Sequence, residues 1–202
     1  MSTFQDAINL ARGVLVDTDP MPEYRYSDAD LLRYANDALD AIAVIKPELF
    51  YETVEITCIA GTTVQKLPNT GSLGLVDVFQ VKNGPAIREA DRGEYDALRP
   101  NWHTDTAAAA QAWMRMGKDP YRFYIHPKAP VGQVLIGLHV AAPGEHVATD
   151  TIPLAPSYAP LIADYIVGMA EARDDEHVNA NRAQAFMLKF AATLGAGKKM
   201  EQ

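Results

Sequence analysis

Ile45-Lys46-Pro47-Glu48-Leu49-Phe50-Tyr51-Glu52-Thr53-Val54-Glu55-Ile56-Thr57-Cys58 is the stretch in which the chain changes its hydrophobic period. Before Pro47 the apolar residues recur at the three- and four-residue spacing of a helix. After Phe50 they alternate: Val54, Ile56 and Cys58 fall on one side, as in a strand with one buried face. Pro47 marks the change, because proline disfavours helical geometry in the residue before it.

Upstream, two helices are expected. The first runs from about Thr3 to Val16, with Phe4, Ala7, Ile8, Ala11, Val14 and Leu15 on one face, and stops before Asp17-Thr18-Asp19-Pro20. The second opens at Ser27, which caps it, with Asp28 and Asp30 at the positive end of its dipole. Leu31, Tyr34, Ala35, Ala38, Leu39 and Ile42 form its apolar stripe. Helix-start carboxylates are common, so Asp28 and Asp30 are read as capping residues and not as metal ligands.

Downstream, strands follow. Gly61 marks a turn, Val64 to Leu67 a partner strand, Pro68-Asn69-Thr70-Gly71 a turn, and Leu75 to Lys82 a third strand closed by Asn83-Gly84-Pro85. Arg92 to Leu98 suits a short helix inside a long connection, and long connections are usually functional or mobile. Arg122 to His126 and Gln133 to Val140 read as further strands, the latter with Val134, Ile136, Leu138 and Val140 on one face. Helices return near Ser157. Pro160 lies in a first turn, where its missing N–H costs nothing. Leu161, Ile162, Tyr165, Ile166 and Met169 carry the apolar face. Asp174-Asp175-Glu176 interrupts, and a last helix buries Ala183, Phe186, Met187 and Phe190 before Gly195 and Gly197.

This order predicts an α+β fold. N- and C-terminal helices (1–49 and 154–202) form a bundle, and an antiparallel β-sandwich or barrel-like insert (50–153) carries a long aromatic loop.

Composition narrows the function. The 202 residues are 48% hydrophobic and 22% charged, a globular balance. No apolar run nears the roughly 18 residues of a membrane span, and the start has no signal-peptide pattern, so a cytoplasmically made product with no membrane role is expected. Net charge is -8, and the only basic doublet is Lys198-Lys199. That argues against a dedicated nucleic-acid binder and suits a surface that DNA slides past.

Catalytic signatures are missing. Gly71-Ser72-Leu73-Gly74 lacks the spacing of a nucleophile elbow. Gly195-Ala196-Gly197-Lys198-Lys199 fails as a phosphate loop: Ala192 and Lys199 stand where Gly and Ser or Thr belong. His103, His126, His139, His146 and His177 have no zinc-ligand spacing, although His126 and His139, both on strands, have room to approach across a sheet. Cys58 reads as a small buried hydrophobe. No catalytic, cofactor or metal residue is assigned. Trp102, Trp113, Tyr121, Phe123 and Tyr124 cluster around the long loop, either as core or as interface anchors. Trp102, His103, Trp113 and Tyr121, with the tail lysines Lys198 and Lys199, are the candidate partner-contact residues.

Taken in order, these pieces resemble phage head-to-tail adaptors of the tail tubular protein A type. The likeness is carried by Asp17-Thr18-Asp19, by Tyr26-Ser27-Asp28-Ala29-Asp30-Leu31-Leu32, by Ala35-Asn36-Asp37-Ala38 and by Ile45-Lys46-Pro47. It continues through Leu75-Val76-Asp77-Val78, Asn101-Trp102-His103 and Asp119-Pro120-Tyr121-Arg122-Phe123-Tyr124-Ile125-His126-Pro127. The resemblance implies a structural virion protein with no catalytic residues and no cofactor. Its copies would form a twelve-fold ring below the portal, at the neck. The ring would extend the DNA channel without binding DNA specifically and would dock a downstream tail or nozzle protein. The rival readings are a tail completion or terminator ring, a small hydrolase with a concave site, and a monomeric ligand-binding β module with aromatics exposed on a sheet face.

Overall fold

Thr3 starts the first helix through a reciprocal cap: its hydroxyl accepts from the Asp6 N–H while the Asp6 carboxylate accepts from the Thr3 N–H. In the computed structural model, which describes residues 1–19, 24–68, 71–173 and 180–196, this helix is α1 (Phe4–Leu15). Ser27 caps α2 (Asp28–Ile45), and a short turn at Pro47–Phe50 leads to the strands. These are β1 (Tyr51–Thr57), β2 (Val64–Lys66), β3 (Ser72–Val81), β4 (Arg88–Glu89), β5 (Ala112–Arg115), β6 (Arg122–His126) and β7 (Val134–Ala141). Helix α3 (Arg92–Leu98) lies between β4 and β5, and α4 (Ala159–Arg173) and α5 (Ala180–Ala196) close the chain. The fold class is α+β, and the chain divides into a helical unit (1–49 and 143–202) and a β unit (50–142).

In the helical unit, α4 packs against α1, α2 and α5. The single apolar stripe expected of it does not describe it. Leu161, Ile162, Ala163, Asp164, Ile166, Val167, Gly168, Ala170 and Glu171 are all buried, so the helix is covered nearly all round and its amphipathic signal is weak. Its two buried carboxylates face cations from α5: Lys189 stands 2.8 Å from Asp164, and Arg182 stands 3.2 Å from Glu171. A buried charge is tolerated when it is paired in this way. Gly168 lets α5 come close, since a Cβ there would lie 2.8 Å from the Met187 sulfur.

Residues 143–153, which the sequence reading assigned to the strand insert, lie with the helices. The Asp150 and Ala148 carbonyls accept from the Phe4 and Gln5 N–H groups, satisfying donors that a helix start leaves without partners. Asn36 of α2 exchanges two hydrogen bonds with the His146 backbone (3.0 and 3.1 Å), and Phe4 stacks on the His146 ring. A helix terminus and a distant amide, neither of which marks the sequence, decide where this segment belongs.

The β unit is two sheets, ordered β1-β7-β3 and β2-β6-β5-β4. Ile56, Val78 and Leu135 of the first meet Trp113, Phe123 and Ile125 of the second in one buried cluster, as in a sandwich. Two sequence expectations change. First, β2 pairs with β6 and not with β1. The fully buried Gln65 amide bonds to Ile59 N–H, Ile59 C=O and Thr62 C=O, so a side chain holds the crossing between sheets. Second, β4 and β5 run parallel. Val134, Ile136, Leu138 and Val140 share one face of β7 as read, half-buried, while the opposite, buried face carries Leu135, Gly137 and His139. Gly137 is required there, because a Cβ would sit 2.8 Å from the Asp77 carbonyl, beside the irregular register of β3.

Candidate functional surface

The long connection between β4 and β5 is held by Trp102. Asp91 caps α3, and the chain then turns through Trp102–Thr104. The Trp102 indole is fully buried, and its N–H donates to Asp96 Oδ1 at 2.8 Å. Its ring stacks on His103 with 3.7 Å between centroids and meets Tyr95 and Tyr124 edge-on. Further along, Asp105 reaches His126 of β6 at 2.8 Å, and its carbonyl accepts from the Lys128 N–H. The aromatic loop is therefore pinned to the sandwich from within. Trp102 is a buried anchor of this loop, whereas His103 is exposed beside it, with its Nδ1 3.3 Å from the Thr63 hydroxyl. The Asp96 and Asp105 contacts had no sequence signal, because carboxylates in a polar loop look solvated.

Trp113 is fully buried on β5, edge-to-face with Phe123 and 5.0 Å beneath the Arg115 guanidinium. Tyr121, by contrast, is 43% exposed. It sits on the turn between β5 and β6, which Asp119 shapes by accepting from the Tyr121 and Arg122 N–H groups at 2.9 and 3.2 Å. Two clefts flank this turn. One of about 400 Å³ is lined by Lys66, Leu67, Pro68 and Tyr121, among others. The other, about 150 Å³, is lined by Arg115, Lys118 and the edge of Trp113, among others. Arg122 and Asp119 border both. Four cations and one carboxylate thus line the two clefts, and Arg115 also pairs with Glu89 at 2.9 Å. Lys198 and Lys199, the remaining candidates, lie outside the described residues.

This basic tip stands out against the charge of the whole. Residues 50–142 contain nine acidic and nine basic side chains, while the remainder contains 17 acidic and nine basic, so the entire net charge of -8 belongs to the helical unit. The partition is readable in the sequence once the unit boundaries are known.

The groups that invite a chemical reading are occupied structurally. Burial pushes the Cys58 thiol above its ordinary pKa, only partly offset by the Gln133 amide at 3.6 Å. His126 and His139 do not approach across one sheet: β6 and β7 belong to different sheets, and His139 bonds instead to Ser72 at 2.6 Å. Among the described residues no three His, Cys, Asp or Glu side chains gather as a metal site, and no helix is long and apolar enough to cross a membrane.

Comparison with known proteins gives the same direction as the early resemblance. A search of curated proteins finds no match. The family model described as SU10 adaptor protein matches residues 2–202; this is an adaptor family, and the match does not extend to the tail tubular protein A type. Covering all but the first residue, that match shows that the chain belongs to the SU10 adaptor family of phage head-to-tail adaptors, structural virion components that interact with other capsid and tail proteins.

Proposed function

We propose that the chain is one subunit of a twelve-fold ring beneath the portal, which extends the DNA channel and docks the next tail or nozzle protein. The observation that carries this reading is the adaptor-family match over residues 2–202. The charge supports it: a net -8 repels phosphate, so DNA passes without a specific site. The chain is made in the host cytoplasm and ends in the neck of the virion. His103, Tyr121, Lys198 and Lys199 are the proposed contact residues. Trp102 and Trp113 act from inside, by holding the surfaces that carry His103 and Tyr121.

Electron microscopy of purified portal mixed with the full chain tests this. Added ring density on the tail-facing side of the portal, with portal symmetry, is the expected result. Portal particles unchanged by a molar excess of the chain would overturn it.

A further inference from the structure

We propose that the basic tip of the β unit in one copy receives the acidic outer face of α2 in a second copy, in a head-to-tail contact. This rests on the ring reading above and names the surfaces through which the ring would close.

The tip is a built cation surface. Lys66 and Lys118 make no ion pair among the described residues, while Arg115 pairs with Glu89 and Arg122 lies 3.8 Å from Asp119. The single carboxylate lining the clefts, Asp119, already accepts two backbone N–H groups, which leaves less of its charge to neutralise the cations. A site with surplus positive charge in a chain of net charge -8 is complementary to most of that chain's own surface.

On the other side, Asp40 is exposed and Asp37 half-buried three residues before it on α2; neither has a hydrogen-bond or ion-pair partner among the described residues, although Arg33 and Arg173, both paired with Asp30, line the same hollow as Asp37. Like charges at that spacing repel, and a cationic neighbour relieves the repulsion. Val44, one turn further, is 78% exposed. The pattern of two carboxylates followed by an apolar side chain matches a cleft with lysine and arginine at its rim and Leu67, Pro68 and Tyr121 along its wall.

A second copy fits better than nucleic acid. The clefts have mixed walls, with Leu67, Pro68 and Tyr121 beside the cations, which suits an acidic protein surface carrying an apolar side chain better than a phosphate backbone, and the chain as a whole repels DNA. The two surfaces belong to different units, so the patch is not self-complementary. Such heterologous contacts close into rings when the rotation allows.

Reciprocal charge reversal on the full chain is the test, read by sedimentation velocity at sub-millimolar concentration, with circular dichroism as the check on folding. Wild type is expected to associate at about 50 mM salt and to weaken by about tenfold or more at about 500 mM. The Lys66→Glu/Lys118→Glu variant and the Asp37→Lys/Asp40→Lys variant are each expected to remain monomeric alone. Mixed in equal amounts they should associate again, since each then offers the surface the other needs. A monomeric wild type at low salt, a folded variant that associates like wild type, or a folded pair that stays monomeric on mixing would each overturn the contact. So would loss of duplex DNA binding in the lysine variant with self-association unchanged. A portal-bound ring of unaltered mass formed by the lysine variant would sink this contact and leave the ring reading standing.

Discussion

Arg12 and Asp17 form a buried ion pair across the end of α1, both side chains almost fully shielded from solvent. Arg12 also reaches Asp28 at 2.6 Å and the Tyr26 carbonyl at 3.0 Å, while Asp17 accepts from the Arg25 N–H at 2.8 Å. One pair thus ties the exit of α1 to the entry of α2. Removing Arg12 leaves the buried Asp17 carboxylate with backbone N–H donors but no cation, which costs about 3–5 kcal/mol, whereas removing Asp17 leaves Arg12 paired with Asp28 and costs less. Chemical denaturation is expected to show a loss of that size for Arg12→Ala and a smaller one for Asp17→Ala. The double variant is expected to lose less than the sum, because the two residues share one interaction. Single losses under about 1 kcal/mol would mean that the pair contributes no more than an exposed one.

Val16, between them, sits in the left-handed region at φ 57° and is 84% exposed. A β-branched residue is poorly suited to that conformation, which glycine adopts freely at helix ends. Val16→Gly is therefore expected to stabilise the fold by about 0.5–1 kcal/mol, the relieved strain exceeding the added entropy of the unfolded chain. A lower melting temperature in this variant would show that the valine makes contacts worth more than its strain.

Trp102 and Tyr121 separate burial from contact. Trp102→Ala empties a fully buried site and breaks the bond to Asp96, with an expected cost of about 3–5 kcal/mol. Tyr121→Ala is expected to change stability by no more than about 0.5 kcal/mol while weakening assembly. Paired melting and assembly measurements decide this. A Trp102→Ala protein that folds and assembles normally would remove the loop from the account, and a Tyr121→Ala protein that assembles normally would remove the tip.

Acid sensitivity is expected from Asp30 and Asp6. The Arg173 guanidinium, 2.6 Å away, and then the Ser27 hydroxyl hold the Asp30 carboxyl below its usual pKa; Thr3 does the same for Asp6, chiefly through its backbone N–H. A depressed folded value means that the stabilisation is fully present above the ordinary carboxylate range and is lost as pH falls through the folded value, below about pH 4. The Asp30→Asn variant is expected to show a smaller fall in melting temperature between about pH 5 and pH 3 than wild type. An equal fall would exclude Asp30 as a contributor.

Much of the fold was legible because it follows periodicity. The stripe from Leu31 to Ile42 is buried as read, α3 spans the anticipated Arg92–Leu98, and the cap at Ser27 is in place. Pairing was not legible where side chains replace backbone partners, as Gln65 does between the sheets, or where a glycine and a histidine line a buried strand face, as on β7. In the candidate surface, the aromatic cluster was visible but its orientation was not. Burial of Trp102 depends on Tyr95 and Asp96 of α3 and Tyr124 of β6 arriving from two separate elements, and the exposure of Tyr121 depends on the turn that Asp119 shapes. The Arg12–Asp17 pair was hidden for a related reason: a lone arginine in an amphipathic helix reads as solvated until a carboxylate folds back onto it.

The most direct test of the adaptor account is the mass of the full chain in solution by light scattering, alone and with purified portal. The account predicts a discrete portal-bound assembly whose added mass corresponds to a closed ring of chains matching the portal symmetry. A chain that stays monomeric and leaves the portal mass unchanged would contradict it.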